Sequence, residues 1–524
     1  MKEITIINIL LGLSVVWITY NSLLYLRRRY RSARATPLTG PPNINLFFGL
    51  SRYIGKSKDA AAIYEQWAEE YGPVYHVPAA MGFSRVVLCD PKAVSHFYAR
   101  ETYGFVQTAL TKQTIENIVR GLLQRKALSP AFSNAAIRRL TSVFFDSGYK
   151  VKTAWDNIIE SQSGDSAIID VQNWMNHVSL DSVGIAGFSH DFGTLHGKRS
   201  TVAETFEAFG HVKPSLIIAS TFILGLAFPV LAKVPTPFWM LIKRLNDSMG
   251  EIAQDMLENT RRESKGENKT EEKSIIGLLI KAENSDSDLS LSQEEVMAQM
   301  KVLIIAGYET TSICLSWCLV ELCKRPDVQQ KLREEVSNFA GGDPTWDQLT
   351  YNMPFLDAVV HETLRLHPPV RETTRVAAED TIFPLSTLMT TPSGEIVDRV
   401  AITKGQLVTV PIQCMNTAKA LWGPDAKEFR PERWLNEDGI PMRAQEIQGH
   451  RHLLTFVDGP RMCLGRGFAL AEFKAVLSVL IRNYAFDFKD GPETKIDLVR
   501  GILPRPRIEG EEGTRLPLRV RRLE

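Results

Sequence analysis

The residues best placed to do chemistry stand in one short run, Phe456 to Ala469, which reads F-V-D-G-P-R-M-C-L-G-R-G-F-A. Its single cysteine, Cys463, lies where a long apolar helix pattern begins, over Leu464 to Tyr484. A helix N-terminus offers unpaired backbone N–H groups and the positive end of a dipole, and both favour a thiolate over a thiol. A thiolate so placed is a metal ligand. Gly459 and Gly465 flank it and permit positive-φ turns and close approach of the backbone to a flat ligand. Arg461, two residues before the cysteine, can form a charge-assisted hydrogen bond to a carboxylate of that ligand. Phe456 can pack beside its ring. The plainer reading of a lone cysteine is a small buried hydrophobe, and it serves for Cys314 and Cys318, one turn apart on another helix pattern.

A second group interrupts that other pattern: Ala306-Gly307-Tyr308-Glu309-Thr310-Thr311. Glycine costs a helix interior about 1 kcal/mol relative to alanine. A helix crossing a core should avoid both glycine and the polar Glu-Thr-Thr unless something needs them. The plain alternative for Thr310 is a hydroxyl bonded back to the preceding turn.

Several elements must position these groups. Ser292 and Glu295 form an S-x-x-E capping box, and an apolar-periodic helix follows to Lys324, long enough to cross a whole domain. Pro354 to His367 reads as a helix opened by proline and stopped by Pro368-Pro369. Within it Glu362 and Arg365 are three apart and share a face. Strand-like runs at Val74–Val77 and Arg85–Cys89, and alternating turns and short strands from Ile382 to Pro411, predict a small β region. Val499 to Val520 predicts a final hairpin with its tip near Gly510 to Gly513.

The spacing F-x-x-G-x-R-x-C-x-G around Cys463 is the signature of the cytochrome P450 family of haem-thiolate monooxygenases, and this chain resembles that family over nearly all of its length after the N-terminal segment. A-G-x-E-T around Thr310, E-x-x-R at Glu362 and Arg365, and P-E-R-W at Pro431 to Trp434 follow in the family's order. The resemblance implies a mainly α fold with a minor β region, a triangular helical prism. It implies haem b with Cys463 as axial iron ligand. Phe456, Gly459, Arg461 and Gly465 would then line the haem, and Arg375 and Arg125 would bind its propionates. Thr310 would assist oxygen activation, and Glu309 would help deliver protons. Glu362, Arg365 and Arg433 would form a buried ion network under the haem. The sequence departs from the family's pattern at one place: four residues before Arg125 stands Gly121, where a Trp or His is usual.

The implied reaction inserts one atom of O2 into an apolar organic substrate. The roughly sixty residues after Cys463 leave no room for a flavin or nicotinamide domain, so the resemblance implies electrons from NADPH through a separate membrane-bound flavoprotein reductase, with Arg443, Arg451 and Arg466 as docking candidates. The style of the motifs is similar to fungal members that decorate terpenoids or other secondary metabolites. Two alternatives stand beside this reading. One is a haem-thiolate isomerase or dehydratase that does not use O2; such relatives often lack the helix threonine. The other is a non-catalytic haem-binding protein.

Composition agrees with a large globular enzyme: 524 residues, 44% hydrophobic, net charge +1, with nothing that suggests nucleic acid. Six cysteines without a C-x-x-C pair fit a reducing compartment. Ile4 to Leu26 is apolar, long enough to span a bilayer, and followed at once by Arg27, Arg28, Arg29, Arg31 and Arg34. The rival reading is a cleaved signal peptide, whose positive charge should precede the apolar core; the positive-inside rule favours a single-pass anchor (residues 1–36), and the resemblance to microsomal members implies the endoplasmic reticulum membrane. Behind it the catalytic domain (37–524) would face the cytosol. Leu216 to Ala232, also apolar, could be a second membrane span, but it is short and carries Pro229; the resemblance implies instead the roof of a substrate channel touching the membrane surface.

Overall fold

The computed structural model describes residues 19, 34–45, 47–109, 111–112, 125–212, 236–263, 292–339 and 342–523. Apart from residues 19 and 34–36, the anchor stretch lies outside them, as do Gly121 and the apolar run 216–232.

The fold is arranged around the helix Gln293–Lys324, referred to below as the core helix. It starts where the sequence places it: the Ser292 hydroxyl accepts from the Glu295 backbone N–H, and the Glu295 carboxylate accepts from the Ser292 N–H. Among the described residues it alone is long and apolar enough to cross a membrane, but 72% of its most apolar window is buried inside the protein. It is an interior strut. Helix Val171–Phe188 lies along it, and the close approach explains Gly307: a Cβ there would stand 2.7 Å from Cγ2 of Val183.

Helix Arg466–Asn483, the cysteine helix, packs on Asn134–Ser161 and touches the core helix. Together with Pro354–Leu366 these helices enclose one large apolar core, and a second cluster gathers around Phe206, Met249, Ile304 and Tyr308. The helical majority and minor β region match the expected architecture. The main sheet runs Val74–Pro78, Ser84–Leu88, Leu407–Val410, Thr373–Ala377, Phe105–Gln107. All its pairs are antiparallel except Ser84–Leu88 with Leu407–Val410. A second sheet has Pro517–Arg522 between Ser166–Asp170 and Tyr484–Phe488.

The C-terminal region corrects one expectation. The hairpin pairs Ile496–Arg500 with Pro504–Ile508, so its tip is 501–503, not Gly510 to Gly513. Gly510 and Gly513 do adopt positive φ (91° and 66°), but they redirect the chain into the second sheet. Glycine marks a turn without saying which strands it joins.

Trp155 anchors the packing beneath the second sheet. It is fully buried and meets Tyr484, Phe486 and Trp174 edge-on at 5.4, 6.0 and 6.5 Å between centroids. Its indole N–H has no partner among the described residues. Trp155→Ala should therefore cost about 3–5 kcal/mol in denaturant unfolding. Trp155→Phe, which keeps most of the contact and removes the unpaired donor, should cost clearly less. Equal losses would show that the ring packing is not what matters there.

Candidate functional site

The cysteine loop is shaped by its backbone. The Cys463 N–H donates to the Phe456 carbonyl at 2.9 Å, closing the loop on itself. Gly459 has φ +67°, and a Cβ there would stand 2.4 Å from the Tyr98 carbonyl oxygen, so only glycine fits. Gly465 differs. Its φ is −82°, and it serves as the cap residue of the cysteine helix. A Cβ at Gly465 would meet only Phe132, at 3.9 Å, so its face is open.

Cys463 is exposed, although the other free cysteines are buried or half-buried. Its neighbour Leu464 packs on the same apolar cluster as Phe132, Ile305 and Ile502. Ala306 is exposed as well, in the middle of the core helix, and Val370 is 38% exposed. Burial among protein atoms pushes the Cys463 thiol up. The Gly465 backbone N–H and the guanidinium groups of Arg125 and Arg466 act in the opposite direction. The thiol thus stands at a helix start, with the Gly465 N–H and two cations favouring its anion.

These features fit an iron macrocycle. Among the described residues no three His, Cys, Asp or Glu side chains cluster to hold a metal. This suits a metal that brings its other ligands with it, as the iron of haem does. The open face at Gly465 leaves room for a flat ring. Arg461 is exposed, and neither Arg461 nor Arg125 has a carboxylate partner among the described residues, so both are available to propionates. Phe456 packs partly buried against the core, with the His450 ring 6.2 Å away. Arg375 is engaged: its guanidinium pairs at 2.5 Å with Glu101, a buried carboxylate that sequence reasoning missed.

On the core helix, Thr310 donates its hydroxyl to the Ala306 carbonyl at 2.7 Å. This is the plain alternative drawn from the sequence, and it fixes the rotamer while the hydroxyl oxygen can still accept. Glu309 points elsewhere. Its carboxylate forms a short ion pair with Arg505 of the C-terminal hairpin, with both side chains 1% exposed, and it also accepts from the Leu503 N–H at 3.2 Å. Burial pushes the Glu309 carboxyl up, and Arg505 pulls it back. Nothing local in the sequence singled out Arg505, which lies 196 residues away.

Under the cysteine loop lies the ion network. Arg365 meets Glu362 through two parallel bonds of 2.8 Å. Its other donors reach the carbonyls of Asn416, Ala426 and Glu428. All five of its N–H groups are therefore used. Glu362 also accepts from the Arg430 backbone and the Trp434 indole, both at 3.0 Å. Arg433 stands 3.6 Å from Glu362 and pairs with Asp425 at 3.1 Å. Asn416 carries the network to the loop: its side chain accepts from the Leu454 N–H at 3.0 Å and donates to the Thr455 hydroxyl at 2.9 Å. Thr455 in turn donates to the Leu364 carbonyl at 2.7 Å. Neither Asn416 nor Thr455 stood out in the sequence, because a buried amide or hydroxyl has no spacing rule of its own.

Comparison with known proteins agrees with this arrangement. The family model for cytochrome P450 matches residues 39–509. The chain belongs to the cytochrome P450 family. A cytochrome P450 monooxygenase (claQ) from Ampulloclitocybe clavipes is 58% identical, covering 100% of this chain and 99% of its own. Cytochrome P450 monooxygenase 128 from Postia placenta is 33% identical over 92% of each chain. A ganoderic acid synthetase from Ganoderma lucidum is 32% identical over 80% of this chain and 83% of its own. The expectations of a P450 fold, a haem-thiolate cofactor and a monooxygenase similar to fungal secondary-metabolism members are borne out. An organic substrate, O2 and a redox partner come with that family.

The Glu309–Arg505 pair gives a direct test. Arg505→Gln would strand a carboxylate in the interior and should destabilise the protein by about 3–5 kcal/mol. The double variant Glu309→Gln/Arg505→Gln should recover a clear part of that loss in the same denaturant titration. Additive losses would mean that the two side chains act independently.

Proposed function

We propose that residues 37–524 form one catalytic domain behind an uncleaved anchor at residues 1–36, on the cytosolic face of the endoplasmic reticulum membrane. The domain draws electrons from NADPH through a separate flavoprotein reductase and oxygenates an apolar organic molecule, a terpenoid or other secondary metabolite. The observation that carries the reading of the site is a single exposed thiol, Cys463, at the start of an interior helix, outside any cluster of three metal-ligating side chains among the described residues.

Cys463 would hold the haem iron, with Arg461 and Arg125 on the propionates and Arg375, tied to Glu101, beside them. Phe456 and Gly465 would flank the ring. Haem held by a thiolate supplies O2 activation, because the sulfur pushes electron density onto the iron and favours O–O cleavage. The rest falls to the chain. Phe132, Ile305, Leu464 and Ile502 keep water from the reacting centre. Thr310 receives and passes on a proton at its hydroxyl oxygen. Glu309 must leave Arg505 to hand on a proton, so its resting task is to fasten the 501–503 loop to the core helix. Val370 and Ile502 offer an apolar wall to substrate, which suits a hydrocarbon skeleton. The ganoderic acid synthetase among the relatives supports a role in making a fungal metabolite. Arg443 and Arg451, exposed near the cysteine loop, are offered to the reductase; each is balanced locally, by Glu446 and Asp357.

The deciding measurement is the carbon monoxide difference spectrum of the reduced, membrane-expressed protein. A strongly red-shifted Soret band is expected in the wild type and should be absent in Cys463→Ala. A red-shifted band in that variant would remove Cys463 from the iron. With a reductase and NADPH, Thr310→Ala should lose product on the order of 100-fold while NADPH is still consumed and peroxide accumulates. Unchanged product yield would remove Thr310 from proton handling.

A further inference from the structure

Glu472 has no part in the site described above, yet it sits at the junction of the two helices that build it. It lies nine residues beyond Cys463 on the cysteine helix and is completely buried. The groups facing it are neutral hydroxyls: Thr311 of the core helix, next to Thr310, and Ser182 and Ser179 of Val171–Phe188. Ser182 itself donates to Ser147 of the helix Asn134–Ser161 at 3.0 Å. Neither oxygen of Glu472 completes a well-aligned hydrogen bond among the described residues, and the Ser179 hydroxyl is also unpaired. Among the described residues no charged side chain balances it. Asp181 holds Thr194 and Leu195, Glu309 holds Arg505, Glu321 holds Lys324 and His367, and Lys474 holds Asp357.

An ionised carboxylate in such a place is costly, whereas a neutral acid can donate one hydrogen bond and accept others. We propose that Glu472 is a positioning residue that pins the cysteine helix to the core helix at Thr311, and so sets the separation between the Cys463 thiolate and the Thr310 hydroxyl. It acts as the uncharged acid. Burial pushes its carboxyl up to about 8, with the hydroxyls of Thr311, Ser182 and Ser179 opposing. The inference rests on the reading of Cys463 as the iron ligand.

The sign of the pH dependence follows. An ordinary glutamate titrates near 4.5. Between that value and about 8 the folded chain holds one proton more than the unfolded chain. Glu472 therefore makes stability fall as pH rises across this window, and adds no further slope above it. Ionisation above about pH 8 places a charge between the two helices and loosens their contact.

The test follows the holoenzyme from pH 5 to pH 9.5 by three readouts: the carbon monoxide spectrum, the melting temperature, and the infrared band of a protonated carboxyl. In the wild type the red-shifted Soret band should give way to the unshifted one as pH rises past about 8. Glu472→Gln, a neutral isostere, should keep the red-shifted band on both sides of that pH. It should also lose part of the slope of melting temperature below pH 8 and lack one protonated-carboxyl band present in the wild type at pH 7. Identical pH profiles in the two proteins, or no missing carboxyl band, would overturn the proposal. A wild type without the red-shifted band at any pH would instead sink the Cys463 reading, and the infrared and thermal measurements would still decide the state of Glu472. Should Glu472→Gln fail to fold, the wild-type carboxyl band must disappear between pH 7 and pH 9.5 for the proposal to stand.

Discussion

Arg365 carries a permanent charge where water does not reach, and the chain around it is folded to answer that charge. A buried ion is tolerated only when its partners are close and its remaining donors are satisfied. Glu362 alone cannot do this, so carbonyl groups of Asn416, Ala426 and Glu428 converge on the same guanidinium. That convergence brings the 416–434 stretch against helix Pro354–Leu366. Once there, the Asn416 side chain is free to grip Leu454 and Thr455, and the cysteine loop acquires a fixed origin. The thiol owes its position to a charge pair it never touches.

A similar logic runs within the core helix. Glu309 is an expensive residue in an apolar strut, and Arg505 answers it from the far end of the chain. The pairing holds Leu503 by its backbone and sets the 501–503 tip against the helix. Two buried charge pairs thus locate the cysteine loop and the 501–503 tip, and apolar side chains pack around both. Specificity of position comes from the charges, while most of the stabilisation comes from the apolar area around them.

What was legible in the sequence was whatever depends on near neighbours. The Ser292 capping box, the proline-started helix with Glu362 and Arg365 on one face, and the glycine at 459 follow from local geometry, and each stands where the pattern put it. Gly307 was visible as an oddity, but its cause, the approach of Val183, was not. Long-range partners were silent. Arg505, Glu101 and Asn416 have no spacing rule that ties them to Glu309, Arg375 and Thr455, because the fold and not the sequence order brings them together. The C-terminal hairpin was misplaced for the same reason: turn residues give the bend but not the register.

The second sheet has a bearing on how this protein comes into being. Its middle strand, Pro517–Arg522, is synthesised after almost every other described residue, yet it lies between Ser166–Asp170 and Tyr484–Phe488. Until it leaves the ribosome, those two strands expose unpaired edges toward each other. Arg505 arrives late as well, so Glu309 waits for the next 196 residues of translation without its counter-charge. The nascent chain must therefore shelter one open strand edge from residue 170 until residues 517–522 are made, and a premature stop before Pro517 would leave that seam open.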